Sequence, residues 1–228
     1  MRLGAQAPTA EGQRLTIDVR GRTAHVDLPM FGAFQAMNAL AALGLLLATG
    51  SEQAAAVAAL QRIEGVPGRM ESVGRTPRGG RVFVDYAHKP GALETVLAAL
   101  RPHTRARLRV VFGCGGDRDA GKRPMMGEIA TRLADRAIVT DDNPRTEDPA
   151  KIRREIMAAA PGAVEIGDRG EAIASAVAAL GPGDVLVIAG KGHESGQIVG
   201  TRVLPFDDRE VARAAVAALA GAPDGETP

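Results

Sequence analysis

The sequence is poor in aromatic residues: its 228 positions include no tryptophan, one tyrosine and five phenylalanines. Proteins that hold single-stranded nucleic acid stack the bases on aromatic side chains, and this chain offers few of them. Its formal net charge of +1 also provides no bulk attraction for a polyanion. These two absences argue against nucleic acid as a partner.

The sequence has a single cysteine, Cys114, and no apolar run near the roughly 18 residues that span a membrane. One cysteine cannot form an internal disulfide and suits a reducing compartment. The first residues, MRLGAQAPTA, lack the apolar stretch of a signal peptide. We therefore expect a cytoplasmic protein without a membrane partner. Cys114 is either a reactive thiol or a small residue that fills a tight turn, and the absence of a neighbouring His or Lys favours the turn.

The stretch GDRDAGKR, from Gly116 to Arg123, lacks the hydroxyl group that a phosphate-binding P-loop needs. Its glycine and lysine spacing imitates a P-loop, but Arg123 occupies the position of the Ser or Thr that binds Mg²⁺. Two carboxylates, Asp117 and Asp119, would also lie inside the cradle and repel a polyphosphate. The local chemistry therefore argues against a P-loop.

The first part of the sequence, residues 1–68, predicts a β-hairpin followed by two helices. Apolar and polar side chains alternate in Arg14–Val19 and in Thr23–Leu28, on either side of a turn at Arg20-Gly21. One helix is expected over Ala33–Ala48, and a second one with Ser51 as its N-cap. A unit of this size buries little surface by itself, so we expect it to belong to something larger.

From Arg69 to about residue 220, predicted strands and helices alternate, which indicates an α/β domain. The runs VVF, AIV and VLVIA do not alternate with polar residues, as expected for central parallel strands that are covered on both faces. The expected fold is an open, mostly parallel, Rossmann-like sheet. A hairpin over Gln197–Pro205 is expected at the edge of that sheet, followed by a helix over Asp207–Ala220 and a flexible tail over residues 221–228.

Polar motifs follow the predicted strands of this domain, where open α/β sheets bind their ligands. They are DYAHKP (residues 85–90), GCGGDRDAGKR (113–123), TDDNPR (140–145) and AGKGHE (189–194). Because the carboxyl ends of parallel strands meet at one edge of a sheet, we expect the motifs to share one rim.

The charged groups of these motifs suit a small zwitterion. Arg118 and Arg145 can pair with a carboxylate, whereas Asp142 and Asn143 offer oxygens to an ammonium group. Alternatives stay open at this point, since TDDNPR can be an ordinary Asx turn and AGKGHE an ordinary solvated loop. The residues alone favour an α/β domain that binds an amino acid or something similar, and they name no reaction.

Taken together, the motifs resemble the Mur ligases of peptidoglycan synthesis. The matching blocks are GAFQAMNALAA, GVPGRME, VDYAHKPGALE, VFGCGGDRDAGKRPMMG, TDDNPRTEDP and IAGKGHE, in that order. The DNPR block looks like the version found in the members that select meso-diaminopimelate. The resemblance implies ATP-dependent addition of meso-2,6-diaminopimelate to UDP-N-acetylmuramoyl-L-alanyl-D-glutamate. ATP would phosphorylate the D-glutamyl carboxylate, and the incoming amine would attack the acyl phosphate and release phosphate.

The resemblance also implies roles for particular residues. Those that look like the diaminopimelate pocket are Arg118, Asp142, Asn143, Pro144, Arg145, Gly190 and Glu194. Those that look like a nucleotide-facing group are Asn38, Arg69, Asp85, Tyr86 and His88. No catalytic residue is assigned, the candidates being His88, Lys191 and His193, and no metal ligand is assigned. The family often has Phe-Asn where this sequence has Phe34-Gln35, a mild departure.

Much of a Mur ligase would lie upstream of these blocks: the uridine-nucleotide domain, the true P-loop and the acidic residues that bind Mg²⁺. By the same resemblance, residues 1–68 are the end of a central ATP-binding domain and residues 69–220 are the C-terminal, amino-acid-binding domain. The implied small-molecule partners are diaminopimelate, ATP with Mg²⁺ (held mainly by upstream residues) and UDP-MurNAc-dipeptide. We expect the chain to be inactive alone, and predict no oligomeric state. A sibling ligase, such as a folylpolyglutamate synthase, and a stand-alone amino-acid-binding module remain alternatives.

Overall fold

A three-stranded antiparallel sheet opens the chain in the computed structural model, which describes residues 1–221. This sheet and two helices form one unit, Met1–Val66, and a second unit begins at Pro67. The elements of the first unit are β1 (Arg2–Thr9), β2 (Gly12–Val19), β3 (Arg22–Leu28), α1 (Ala33–Ala48) and α2 (Gln53–Ala59).

The predicted hairpin is present as β2 and β3. Its turn residues, Arg20 and Gly21, have φ values of 54° and 79°, and two left-handed residues in a two-residue loop match the twist of the paired strands. Alternate side chains of β2, such as Leu15 and Ile17, are fully buried and pack with apolar residues of α1, including Leu43. The predicted helix over Ala33–Ala48 is also present with the same bounds.

Two expectations for this unit are corrected. The N-cap of α2 is Glu52 and not Ser51, because the Glu52 carboxylate accepts the N–H groups of Ala54 and Ala55 at 2.8 and 2.7 Å. Strand β1 was not predicted at all. Its sequence, RLGAQAPT, has no run of β-branched residues, and its pairing with β2 is interrupted by a register shift between Leu3 and Ala5.

The second unit is built on a six-stranded sheet with the order β4-β5-β9-β6-β7-β8. Its strands are β4 (Glu71–Arg75), β5 (Arg81–Asp85), β6 (Leu108–Phe112), β7 (Arg136–Val139), β8 (Val164–Glu165) and β9 (Val185–Ala189). Only the pairing of β4 with β5 is antiparallel within this sheet, and the other pairs are parallel. The expected open, mostly parallel α/β sheet is therefore confirmed.

Helices cover this sheet. They are α3 (Pro90–Leu100), α4 (Lys122–Leu133), α5 (Pro149–Met157), α6 (Arg169–Ala178) and α7 (Asp208–Gly221). Because right-handed crossovers from β5 to β8 run in one direction and the return to β9 runs in the other, α6 lies on the face opposite to α3, α4 and α5. Buried residues of β5 and β9, such as Val84 and Ile188, pack with Ile173 of α6 and Ala212 of α7.

The carboxy-terminal hairpin differs from the expectation. Strands β10 (Gly196–Val199) and β11 (Arg202–Pro205) form a separate two-stranded sheet and do not extend the edge of the main sheet. A single parallel bridge joins Val199 to Arg145, so the hairpin leans on the loop after β7. Of the predicted tail over 221–228, only Gly221 is described, as the end of α7, and the rest lies outside the described residues.

Among residues 1–221, none of the helices combines the length and apolar character that crossing a bilayer requires.

Candidate functional site

The loops after β5, β6, β7 and β9 surround a cavity of about 710 Å³, a size typical of small-molecule sites. Their strands lie side by side in the sheet, so the carboxyl ends meet at one rim as the sequence predicted. The cavity is lined by Tyr86, His88, Lys89, Pro90, Gly115, Arg118, Asp119, Lys122, Asp142, Asn143, Arg145, Gly190 and Glu194. All of these residues belong to the second unit.

The glycine loop (residues 113–121) is fastened to the DNPR loop (residues 140–148). The Gly116 N–H donates to the Asn143 carbonyl at 2.9 Å, and a Cβ at Gly116 would lie 2.0 Å from the Pro144 oxygen. Asp117 accepts hydrogen bonds from the backbone N–H and the hydroxyl of Thr146 at 3.1 and 2.8 Å. The Asp117 carboxylate thus fixes the neighbouring loop, and only glycine fits where the two loops touch.

Arg145 is held in place from two sides. Its Nη1 donates to the Gly116 carbonyl at 2.8 Å, across the junction of the two loops. Its backbone N–H donates to Ile198 at 3.0 Å, and its carbonyl accepts from Gly200 at 2.7 Å, while φ is 52°. The hairpin of β10 and β11 therefore stabilises a left-handed conformation that a non-glycine residue rarely adopts. As a result, the guanidinium reaches the cavity in a fixed position.

Arg118 is a second guanidinium group that lines the cavity. It lies in the glycine loop, is exposed, and donates through Nη1 to the Asp117 carbonyl at 3.0 Å. Two guanidinium groups, one held and one solvated, therefore line the cavity, and each can pair bidentately with a carboxylate.

An acidic corner, formed by Asp142, Asn143 and Glu194, lines the cavity, with Asp142 next to Gly190. The Asn143 side chain donates to a Glu194 oxygen at 3.1 Å and accepts the Ile198 N–H at 2.9 Å. Asp142 and Asn143 are buried, with 7% and 6% of their surfaces exposed, whereas the Glu194 side chain is 36% exposed. The corner therefore presents carboxylate oxygens in fixed positions.

Lys191 occupies the interior of this corner. Its ammonium group donates to Asn143 Oδ1 at 2.8 Å and to Asp142 Oδ1 at 3.4 Å, and lies 3.7 Å from Glu194 Oε2. The side chain is completely buried. The sequence left the role of Lys191 open, and a solvated loop lysine was one interpretation. The structure instead places its charge among the predicted pocket residues.

Tyr86 forms the centre of the predicted nucleotide-facing group in the second unit. The Arg69 guanidinium carbon lies 4.5 Å from the centre of the Tyr86 ring, a cation–π distance. The rings of His88 and His193 lie 4.5 and 5.2 Å from the Tyr86 ring. The His88 carbonyl accepts a hydrogen bond from the Lys122 ammonium at 2.8 Å. Arg69, Tyr86 and His88 are therefore brought together, with His193 beside them.

Asp85 and Asn38 are placed differently from that group. Asp85 is 8% exposed and accepts the Met70 N–H at 2.7 Å, and its pKa is raised because burial disfavours the charged carboxylate. It supports the chain at Met70, whose φ is 51°. Asn38 lies on α1 in the first unit, where it is exposed and its amide donates to Gln35 at 2.9 Å.

Two buried arginines, Arg123 and Arg169, support the rim, and the sequence motifs did not predict their burial. Arg123, 1% exposed, pairs with Glu147 at 2.8 Å and Glu155 at 2.6 Å, and Glu147 also accepts the Asp117 N–H. The hydrogen bonds from Arg123 and Asp117 lower the pKa of Glu147. Arg123, in the position of the P-loop hydroxyl, therefore points between α4 and α5 and is absent from the cavity lining.

The second supporting arginine is Arg169, the first residue of α6. It forms a bidentate pair with Asp208 at 2.7 Å through both Nε and Nη2, and both side chains are fully buried. Arg169 also donates to the carbonyls of Ala189 and Asp141 at 3.1 and 3.3 Å. These carbonyls immediately precede Gly190 and Asp142, so Arg169 ties together the two loops that form the acidic corner.

No group of three or more His, Cys, Asp or Glu residues within positions 1–221 is arranged to hold a metal ion. The acidic corner does not supply one either, since a lysine ammonium lies between its carboxylates. None of the residues described here is therefore assigned a role in binding Mg²⁺.

The parallel sheet and its charged rim define an α/β domain with a cavity of small-molecule size at the carboxyl ends of its strands. Residues 68–192 match the family model "Mur ligase, glutamate ligase domain", which is more than half of the chain. The chain therefore belongs to the Mur ligase family.

Individual proteins similar to this chain carry a more specific name than the family does. The chain is 59% identical over 208 residues to UDP-N-acetylmuramoyl-L-alanyl-D-glutamate--2,6-diaminopimelate ligase of Caulobacter vibrioides, and 58% identical over 204 residues to the same ligase of Mesorhizobium japonicum. These alignments cover 91% and 90% of this chain, but 43% and 42% of the relatives. The chain thus spans less than half the length of the curated relatives it matches.

Solved structures agree on the fold. A UDP-N-acetylmuramoyl-L-alanyl-D-glutamate--2,6-diaminopimelate ligase superposes with a TM-score of 0.75 at 37% identity, covering 96% of this chain and 46% of that structure. Folylpolyglutamate synthase of Mycobacterium tuberculosis, complexed with ADP and AMPPCP, gives a TM-score of 0.62 at 20% identity, over 97% of this chain and 48% of that one. At that identity, the second likeness concerns the fold alone.

Proposed function

We propose that this chain is the amino-acid-binding part of a ligase that adds meso-2,6-diaminopimelate to UDP-N-acetylmuramoyl-L-alanyl-D-glutamate with ATP. One observation carries the proposal: the same cavity is lined by guanidinium groups from two loops and by an acidic corner whose Asp142 and Asn143 are buried. Free diaminopimelate has matching groups. Its distal end carries both a carboxylate and an ammonium, which must be held while the amine at the other end reacts. The names of the 57–59% identical relatives support the same substrate.

Each predicted pocket residue has a task in this proposal. Arg145 and Arg118 bind the distal carboxylate of diaminopimelate, with Arg145 setting its direction because its guanidinium is already fixed by the Gly116 carbonyl. Glu194 and Asp142 attract the distal ammonium. Gly190, with φ of 127°, leaves the floor of the corner free of a side chain.

The remaining pocket residues and the nucleotide-facing residues orient the loops and the ligands. Pro144 holds the DNPR loop against Gly116, so the fixed guanidinium and the corner keep their separation. Tyr86, Arg69 and His88 form the surface that meets ATP, with the phosphates near the cationic side chains. In the reaction, the D-glutamyl carboxylate takes the terminal phosphoryl group of ATP, ADP leaves, and the free amine displaces phosphate to form the amide. None of the residues described here is assigned the proton transfer.

The domain assignment belongs to the proposal as well. Residues 1–68 are taken as the end of the central, ATP-binding domain of the ligase, and residues 69–220 as its C-terminal domain. Asn38 on α1 is then a nucleotide-facing residue that belongs to the central domain.

Binding tests the proposal on the 228-residue chain itself. We would titrate the ¹⁵N-labelled chain to millimolar concentrations of meso-diaminopimelate, L-lysine and L-glutamate, and follow the rim glycines by NMR. Diaminopimelate should bind best, and Arg145→Ala should weaken it by about ten- to a hundredfold, as expected for the loss of a charge-assisted bidentate contact. Arg105→Ala is the matched control, since Arg105 is exposed at the other end of β6.

The alternatives give distinct outcomes in the same titration. Preferential binding of L-glutamate would favour a sibling ligase. Equal affinities of Arg145→Ala and Arg105→Ala for diaminopimelate would contradict the role given to the Arg145 guanidinium. If the rim resonances do not shift with any of the three amino acids, the proposed function is overturned. The reaction is tested separately, by replacing the matching part of the Caulobacter relative with this chain and measuring phosphate release that depends on diaminopimelate.

A further inference from the structure

The completely buried ammonium group of Lys191 needs an explanation. Removing a charged group from water is costly unless it is fully compensated, and an apolar side chain of similar length often serves stability as well or better. The contacts of the Lys191 ammonium are Asp142, Asn143 and Glu194, all of which line the cavity. Its charge is therefore directed at the cavity wall.

The backbone around Lys191 is built to place it there. Gly190 and Gly192 have φ values of 127° and 57°, and a Cβ at Gly192 would lie 2.7 Å from the Cβ of Tyr86. The Glu194 N–H donates to the Lys191 carbonyl at 2.9 Å, which closes a turn and returns Glu194 to the same corner. One short loop thus supplies both the ammonium and one of the carboxylates that it faces.

The Lys191 ammonium changes the net charge of the acidic corner. Asp142 and Glu194 bring two negative charges to the acidic corner, and Lys191 neutralises one of them. The remaining negative charge matches the single distal ammonium of a diamino acid. Without Lys191, the corner would hold two uncompensated carboxylates. That corner would attract a bare ammonium strongly, but it would repel a carboxylate attached to the same carbon atom.

We propose that Lys191 is a specificity-determining residue, which makes the acidic corner select an amino acid whose distal end carries both an ammonium and a carboxylate over one that ends in an ammonium alone. The proposal rests on the proposed function, because it concerns the same cavity. Meso-diaminopimelate is the first kind of ligand and L-lysine is the second. They differ by one distal carboxylate, and Lys191 reduces the repulsion between that carboxylate and the acidic corner.

Other charged groups at the cavity do not replace Lys191. Arg118 and Arg145 lie in the glycine and DNPR loops and bind the ligand carboxylate in the proposed function. Arg169 also attracts Asp142 and Glu194, but its guanidinium is already paired with Asp208. Lys122 donates to the His88 carbonyl at 2.8 Å, towards the group around Tyr86. Within residues 1–221, no ion pair other than that of Lys191 is formed with the Asp142 or Glu194 carboxylates.

Lys191→Met tests the proposal, because it keeps the length of the side chain and removes the charge. Dissociation constants of the 228-residue chain for meso-diaminopimelate and L-lysine are measured by the NMR titration described above. We expect the preference for diaminopimelate over lysine to fall by about tenfold, from the loss of one charge near the distal carboxylate. Lys151→Met on the exposed surface of α5 is the matched control and should leave the preference unchanged.

The double variant Asp142→Asn/Lys191→Met separates charge balance from damage to the fold. It leaves Glu194 as the single charge in the corner, so the preference for diaminopimelate should return to within about threefold of the original chain. Asp142→Asn alone should weaken both ligands, because Lys191 then neutralises Glu194. Tyr86 fluorescence and the amide spectrum of each variant report whether the second unit is folded.

The outcomes are distinguishable. If the unaltered chain binds neither ligand, the proposed function fails, and this inference fails with it. If the unaltered chain prefers diaminopimelate but Lys191→Met weakens both ligands equally, or the double variant is worse than each single variant, Lys191 is only structural and the proposed function survives. An unfolded Lys191→Met variant whose stability and preference are both recovered in the double variant supports charge balance.

Discussion

Replacing Asp208 by Asn should strongly destabilise the second unit. Both side chains of the Arg169–Asp208 pair are fully buried, and the carboxylate receives two hydrogen bonds of 2.7 Å. Attraction to Asp208 raises the pKa of Arg169 against the opposing effect of burial, so Arg169 stays charged at any accessible pH. Asparagine keeps the shape of the side chain but removes the one carboxylate that pairs directly with this charge.

The size of the effect follows from the burial of the pair. Removing one partner of a buried ion pair destabilises a protein by about 3–5 kcal/mol. The carbonyls of Ala189 and Asp141 still accept from Arg169, so we expect a loss near the lower end of that range. For a unit of this size, about 3 kcal/mol corresponds to a fall in Tm of roughly 6–12 °C.

Tyr86 provides the assay, because it is the one tyrosine in a chain without tryptophan and it lies in the second unit. Urea unfolding followed by Tyr86 fluorescence therefore reports this unit specifically. Glu94→Gln is the matched control: its pair with Arg132 also joins two helices, but the side chains are 49% and 51% exposed, so it should change stability by no more than about 1 kcal/mol. A loss of less than about 1 kcal/mol for Asp208→Asn would refute the reasoning.

A second variant distinguishes stability from positioning. Arg169→Met/Asp208→Leu removes both charges, and such apolar replacements are often neutral for stability. The carbonyls before Gly190 and Asp142 would nevertheless lose their common donor. We therefore expect near-normal unfolding together with weaker binding of diaminopimelate.

Two further predictions concern activity and the cysteine. Because the chain spans less than half the length of its curated relatives, it should release no phosphate from ATP in the presence of diaminopimelate and UDP-MurNAc-dipeptide, and diaminopimelate-dependent release by the purified chain would contradict this. Cys114 is 2% exposed and burial raises its pKa to about 12, from about 9, so at pH 8 iodoacetamide should alkylate the folded chain about a thousandfold more slowly than the urea-unfolded chain. The stability that comes from burying the neutral thiol should be complete below about pH 9 and lost as the pH rises towards 12, and equal alkylation rates would refute the assigned burial.

The sequence predicted the parallel sheet because its physical signature is local. The run VLVIA at 185–189 contains no polar residue, and in the structure all of it is buried between β5 and β6. Strand β9 inserts between β5 and β6, which precede it by 104 and 77 residues, counted from the partners of Val185. A local pattern could not predict this, since strand order depends on long-range packing. Strand β1 and the Glu52 cap were missed for the opposite reason: their local sequences are weak or ambiguous signals.

The rim was predictable as a set of motifs but not as a set of contacts. Position after a strand was enough to select Arg118, Arg145 and Glu194. The contact between Lys191 and Asn143 joins residues 48 positions apart, and no pattern within either motif requires it. Burial of a lysine or an arginine is also the less common outcome for those residue types, so the burial of Lys191, Arg123 and Arg169 could not be predicted from their motifs.

The buried cations stabilise a rim that is made of loops, as the proposed binding of a small ligand requires. Loops are usually mobile, and ordering them on binding would weaken affinity. Here Arg123 anchors the glycine loop and the DNPR loop through Glu147. Arg169 anchors the DNPR loop and the loop after β9 (residues 190–194) through the carbonyls before Asp142 and Gly190. Each anchor joins two neighbouring loops and shares the DNPR loop with the other. The DNPR loop is thus fixed from both sides, which is why it can carry both the guanidinium of Arg145 and the acidic half of the corner at a constant separation.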